Sequence, residues 1–237
     1  MAKQLPIEFE YKPYYDREDF IVSDNNHEAI TFIDSWPNWQ SFAVCIYGPR
    51  GSGKTHLANI FVETIYKHTT YAQKIPFINA QDVKLETPHR LFEESKFLVV
   101  ENLSENVNKE ALFHLYNLYR NEGGNILFTS EKAPARMSFG LADLQSRLNS
   151  IPSIEIKEPN DELLSMLIIK LFADRQINTT PEVVSYLINN AQRSFAYIKE
   201  LIKEIDNISI AKKRAVTINI AKEAIAYLEN NSQIELF

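Results

Sequence analysis

The chain has 237 residues, 45% hydrophobic and 24% charged, with a formal net charge of −6; that length buries a substantial core and fits one large or two small domains. Nucleic-acid affinity comes mostly from Lys and Arg neutralising phosphates, so an acidic chain with no strong basic block is not expected to grip DNA directly. No apolar run approaches a membrane span and no signal-peptide h-region opens the chain, which excludes a membrane partner and points to the cytoplasm.

Residues 1–19 are rich in Pro, Tyr and charge, lack a clear period, and read as an extended arm. Ser23-Asp24-Asn25-Asn26 offers N-cap residues for an apolar-periodic segment ending near Trp36. The apolar run Phe42 to Tyr47 reads as a strand. It carries the single cysteine, Cys45, which cannot form an intrachain disulfide and is expected to be a buried, inert thiol. A glycine-rich octet, residues 48–55, follows, then a helix-like stretch from Leu57 to Lys67. Ile75-Pro76-Phe77-Ile78 reads as a short buried strand and Phe97-Leu98-Val99-Val100 as a third. Ala111, Leu112, Leu115, Leu118 and Tyr119 mark one face of a helix that ends at Gly123-Gly124. Ile126-Leu127-Phe128 makes a fourth strand and Ser153-Ile154-Glu155-Ile156 a fifth. This β–α repetition predicts an α/β fold, with a parallel sheet covered by helices on both faces. From Asp161 to Leu228 only helical periodicity remains, in about four segments. The expected division is an arm at 1–19, an α/β domain at 20–158, a small all-helical domain at 159–229 and a tail at 230–237. Lys212-Lys213-Arg214, the longest cationic run, reads as a solvated helix end. The five histidines are scattered, with no metal-ligand spacing.

The octet Gly48-Pro49-Arg50-Gly51-Ser52-Gly53-Lys54-Thr55 is a complete P-loop in the strand–loop–helix context that a working one requires. Its glycines let consecutive N–H groups turn inward around an anion without a Cβ in the way. The helix that follows offers its unpaired N–H groups and positive dipole end to a β-phosphate. Lys54 adds a point charge and the Thr55 hydroxyl is placed to ligate Mg²⁺. ADP or ATP, with Mg²⁺, is the expected cofactor.

A P-loop α/β domain followed by a small helical lid resembles the AAA+ ATPases. Gly53-Lys54-Thr55-His56-Leu57, together with Phe20-Ile21, Asn26 and Ala29 upstream, resembles the DnaA branch of that class. The resemblance implies that Phe20, Ile21 and Asn26 line an adenine pocket, and it adds His56 to the nucleotide-binding set. It also implies an acidic pair after the third strand, one member organising Mg²⁺ and one polarising the attacking water. Here the pair is Glu101 and Asn102. Glu101 keeps a charge for Mg²⁺, one methylene further out, whereas Asn102 cannot accept a proton. Slow or absent self-hydrolysis follows, unless Asn102 is simply a strand-end cap.

Leu144-Gln145-Ser146-Arg147-Leu148 resembles the family's arginine-finger segment, which makes Arg147 the candidate catalytic residue, acting in trans; an ordinary surface ion pair is the alternative. In Arg193-Ser194-Phe195-Ala196-Tyr197, the sensor-2 region, the family's arginine aligns with Ala196. Thr129 and Ser130 are the sensor-1 candidates.

Initiators of this branch continue past the lid into a helix-turn-helix domain, for which the sequence after the lid leaves no room. The chain is therefore expected to resemble the shorter DnaA paralogues that inactivate the initiator. In those, an N-terminal peptide binds the replicative sliding clamp and the finger drives hydrolysis of DnaA-bound ATP. The implied partners are DnaA and the clamp, with DNA reached only through the clamp; homo-oligomerisation stays open. Gln4, Leu5, Ile7 and Phe9 have the spacing of a clamp-binding peptide. Gln233, Ile234, Leu236 and Phe237 resemble its shorter form, with Asn230-Asn231-Ser232 as a flexible spacer. A self-sufficient ATPase, helicase-loader-like, a DnaA-type initiation factor lacking the DNA-binding domain, and a pure adaptor remain alternatives.

Overall fold

The structure, a computed structural model, describes residues 17–234. The N-terminal candidates Gln4, Leu5, Ile7 and Phe9, and Leu236 and Phe237 at the other end, lie outside the described residues. Five strands form one parallel sheet: β1 (Ala43–Tyr47), β2 (Phe77–Asn79), β3 (Phe97–Leu103), β4 (Asn125–Ser130) and β5 (Ser153–Glu155), in the order β2-β3-β4-β1-β5. The alternation of side chains along each strand splits the core in two. Val44, Ile46, Val99 and Leu127 face helices α1 (His27–Asp34) and α2 (Lys54–His68). Ala43, Cys45, Leu98, Val100, Ile126 and Phe128 face α3 (Thr87–Glu94), α4 (Lys109–Asn121) and α5 (Ala142–Asn149). Strands buried on both faces read as continuous apolar runs, which is why β1, β3 and β4 are visible in the sequence.

The lid is a separate helical unit of α6 (Asp161–Asp174), α7 (Pro181–Asn190), α8 (Phe195–Lys212) and α9 (Ile218–Ile234). Its own core runs from Leu164 to Leu228. Asn160 caps α6 by accepting from Leu163 N at 2.9 Å, so the lid starts on a defined helix rather than a slack linker. Lys212 pairs with Glu223, consistent with a solvated helix end.

Two expectations need correction, and one helix had no sequence signal. The second strand is not buried: β2 is an edge strand and Phe77 is 38% exposed, because only its β3 side has a neighbour. Helix α3 is absent from the sequence reading because Thr87–Glu94 carries few apolar residues and buries only Thr87, Pro88 and Leu91. The spacer expected at 230–232 is helical, since α9 continues to Ile234 and takes Gln233 and Ile234 into its last turn.

Candidate functional site

The glycine-rich octet joins β1 to α2, and its shape is set by what surrounds it. A Cβ on Gly48 would overlap the Ile156 carbonyl. Gly51 has φ +72°, and a Cβ there would stand 2.5 Å from Ala196 N and 2.8 Å from Ala196 Cα. The first turn of α8 is thus laid directly on the loop, backbone against backbone, at the position where the sequence aligns alanine with a family arginine. Arg193, one turn away, is drawn off to Asp161 at 2.8 Å.

Lys54 is the second residue of interest. It is 9% exposed, and its Nζ donates to the carbonyls of Gly48 at 2.8 Å and Pro49 at 2.7 Å. Burial pushes its ammonium below the ordinary lysine value; Glu131 opposes that shift, ahead of a smaller contribution from Glu101. The Ser52 hydroxyl is buried in the same loop without a hydrogen-bond partner among the described residues. A glycine-rich loop at a helix N-terminus, with a pinned lysine, is what an anionic phosphate requires.

Thr55 Oγ1 donates to Glu101 Oε1 at 2.6 Å. A hydroxyl and a carboxylate beside a phosphate cradle suit Mg²⁺, which takes one or two protein oxygens and completes its shell with phosphate and water. The next residue departs from the sheet. The β3–β4 register shifts between Val100 and Leu103, and Asn102 takes φ +58°, a left-handed conformation that Asn tolerates better than most residues. Its N–H donates to Thr129 Oγ1 at 3.3 Å. Thr129 and Ser130 are both buried, and Ser130 Oγ donates to the Lys132 carbonyl at 2.7 Å. These hydroxyls brace the strand ends. The residue that reaches out is Glu131, whose Oε1 lies 3.6 Å from Arg50 Nε. A cleft of about 560 Å³ opens there, lined by Arg50, Asn79, Asn102, Ser104, Glu131 and Lys132, among others. The sequence reading passed over Glu131; its only signal was a carboxylate directly after the fourth strand.

The upstream segment closes another side. Phe20 is buried, its ring edge 3.2 Å from a Cβ built on Gly53, and it packs edge-on against His56 with centroids 5.2 Å apart. Asn26 precedes α1 without capping it by its side chain. Its Nδ2 donates to the Ile21 carbonyl at 2.8 Å and its Oδ1 accepts from Ser23 N at 2.9 Å. Both ends of that amide are committed, so Asn26 shapes the segment that carries Ile21. Asn25, read from sequence only as an N-cap candidate, ties the segment to the lid hinge: Lys157 N donates to its carbonyl at 2.9 Å and its Nδ2 donates to the Glu158 carbonyl.

Arg147 lies apart from this cradle, on α5. Its guanidinium stands over the Phe113 ring at 5.1 Å and the Tyr116 ring at 5.8 Å, both from α4. α4 and α5 cover the sheet face opposite α2. The guanidinium is thus held over aromatic faces.

Sheet order, P-loop and helical lid together define a AAA+ P-loop protein. The family model for the bacterial DnaA ATPase domain matches residues 11–154, and that for the lid domain of Hda matches residues 164–225. The chain belongs to the bacterial DnaA ATPase family and carries an Hda-type lid. Among curated relatives, the chromosomal replication initiator protein DnaA of Nautilia profundicola is 26% identical over 90% of this chain and 52% of its own length. An uncharacterised protein of Haemophilus influenzae is 25% identical over 95% of this chain and 99% of its own. The chain thus spans about half the length of the DnaA initiators it matches. Two solved structures share the fold: domain III of Thermotoga maritima DnaA, with TM-score 0.76 and 17% identity, covering 91% of this chain and 97% of that one, and AMPPCP-bound DnaA from Aquifex aeolicus, with TM-score 0.67 and 18% identity, covering 95% and 71%. No helix among the described residues is long and apolar enough to cross a membrane.

Proposed function

We propose that this protein is a cytoplasmic, nucleotide-binding AAA+ regulator of replication initiation that promotes hydrolysis of DnaA-bound ATP together with the sliding clamp. One observation carries the reading. The chain pairs a fully built phosphate cradle, with Lys54 pinned by two loop carbonyls, with a neutral Asn102 where a hydrolytic site needs a carboxylate. Such a site holds a nucleotide without turning it over efficiently. ADP or ATP would lie with its phosphates over residues 48–55, Mg²⁺ between Thr55 and Glu101, and the base against Phe20, Ile21 and His56. Binding of AMPPCP by the Aquifex aeolicus DnaA supports this.

The catalytic contribution then goes elsewhere. Arg147, displayed on the far side of the sheet, is free of its own cradle and suits a phosphoryl group bound by a neighbouring DnaA subunit. An arginine supplied in this way is worth roughly 10³–10⁵ in rate. The Hda-type lid supports DnaA as that neighbour. The peptides containing Gln4, Leu5, Ile7 and Phe9, and Gln233, Ile234, Leu236 and Phe237, would supply the clamp contact. The experiment is a reconstitution of DnaA–ATP hydrolysis with this protein, clamp and DNA, each omitted in turn. Stimulation that needs all three is expected. Turnover by this protein alone, undiminished without DnaA, would favour the self-sufficient ATPase instead.

A further inference from the structure

Arg50 lies inside the P-loop, between Pro49 and Gly51, yet its side chain contributes nothing to the loop's own packing. It is 84% exposed and reaches across to the end of β4, where its Nε stands 3.6 Å from Glu131 Oε1; the Glu131 side chain is itself 61% exposed. An ion pair this open to water is weak and readily exchanged. Both residues line the cleft of about 560 Å³ at the carboxyl ends of β2, β3 and β4, and in open α/β sheets ligands lie beyond the carboxyl ends of the strands. Arg50 also adjoins Pro49, whose carbonyl accepts from Lys54 Nζ at 2.7 Å. The Arg50–Glu131 pair thus sits beside the loop that carries Lys54, at the edge of the cleft.

The charges at that cleft are unequal toward the two nucleotides. A diphosphate is served by the loop amides and Lys54. A triphosphate would reach further, toward the cleft lined by the Glu131 carboxylate, neutral Asn102 and Lys132. On the loop side of that cleft Lys54 is held by the Gly48 and Pro49 carbonyls and Arg50 is engaged with Glu131, while Lys132 lines the opposite wall. We propose that Arg50 is a built-in cation for the terminal phosphate of a nucleoside triphosphate, held on Glu131 until that phosphate displaces the carboxylate. The planar guanidinium fork suits a phosphate as well as it suits a carboxylate, so the exchange needs only a side-chain rotation. Glu131 then works against triphosphate and leaves diphosphate alone. The pair sets how far this chain distinguishes ADP from ATP, and it does so within one P-loop. The inference rests on the nucleotide reading given above.

The test is calorimetric titration with ADP and with the non-hydrolysable triphosphate AMPPCP, at low salt, for the parent, Arg50→Ala, Arg50→Lys and Glu131→Gln. Arg50→Ala should weaken AMPPCP about tenfold, the scale of one charge-assisted hydrogen bond, while changing ADP less than about twofold. Arg50→Lys should recover part of the loss, since charge is kept and the fork is not. Glu131→Gln should tighten AMPPCP about threefold or more and leave ADP unchanged, because a like charge is removed from the cleft. Equal effects on both nucleotides, or none on either, would overturn the inference while leaving the nucleotide site standing. A parent that melts cooperatively yet binds neither nucleotide would remove the site itself, and the inference with it.

Discussion

Gly51→Ala isolates the contact between the lid and the P-loop. Two costs arise. A left-handed conformation costs a residue with a Cβ about 1–2 kcal/mol, partly offset by about 0.4–1 kcal/mol from a stiffer unfolded chain. The new methyl would also stand 2.5 Å from Ala196 N, 2.8 Å from its Cα and 2.9 Å from its Cβ. Those are largely backbone atoms in the first turn of a packed helix, so α8 must shift or strain, at about 1–3 kcal/mol for overpacking. Gly123 is the control. It has φ +71°, close to the +72° of Gly51, but nothing within 4 Å of a built Cβ. Gly123→Ala should therefore lower the melting temperature by about 2–4 °C, and Gly51→Ala by about 5–12 °C, at roughly 2–4 °C per kcal/mol for a chain of this size. Intrinsic fluorescence can follow both melts, because Trp39 stacks on Phe61 of α2 at 4.8 Å and reports the helix that carries Lys54. Equal losses in the two variants would mean that α8 does not rest on the loop.

The other expectations can be checked on the same material. Lys54→Ala should abolish the rise in melting temperature on adding ADP, since a ligand that binds only the native state must stabilise it. In the parent, burial holds the Lys54 ammonium below 10.5; in the window just under that value the unfolded chain binds more protons, so this group makes the free protein more stable as pH rises. ADP needs the ammonium, so the ADP-induced shift should shrink through the same window; a shift constant to pH 10.5 would contradict the role given to Lys54. Asn102→Glu resupplies a carboxylate and should bring measurable phosphate release, at a cost of about 1–2 kcal/mol for a longer side chain in the left-handed conformation; unchanged turnover with intact ATP binding would show that a carboxylate at 102 does not suffice. For the clamp, affinity should fall in Gln4→Ala/Phe9→Ala and again when truncation after Ser232 is added. Truncation removes part of the last turn of α9, so a loss of clamp affinity counts only if the melting temperature is kept.

The cradle was legible because its residues are consecutive: the spacing of Gly48, Gly51, Gly53 and Lys54, between an apolar run and a helical one, specifies the local geometry almost completely. The sheet was legible for the same kind of reason, since β1, β3 and β4 are buried on both faces. What escaped depends on parts of the chain far apart in sequence. Nothing near Gly51 reveals that Ala196 will lie on it, and nothing near Glu131 reveals that Arg50 will reach it. Asn25 looked like one of four capping residues, although its partners are at 157 and 158. Phe77 looked buried because an apolar residue in a short strand gives no sign of which strand is the edge. Asn230-Asn231-Ser232 looked like a spacer because polar composition speaks for a loop, whereas the helix through it is an extension of one already nucleated and packed.

The central claim, that Arg147 acts on ATP held by another protein, is tested most directly by single-turnover hydrolysis of DnaA-bound ATP. ADP-loaded parent, Arg147→Ala and Arg147→Lys proteins are compared in the presence of DNA-loaded clamp. The guanidinium rests on Phe113 and Tyr116 at the surface, so its removal should cost only about 0.5–1 kcal/mol of stability and leave ADP and clamp affinity unchanged. The account predicts that the parent accelerates hydrolysis, that Arg147→Ala removes the acceleration and that Arg147→Lys restores little of it. Acceleration by the Arg147→Ala protein equal to that of the parent would contradict it.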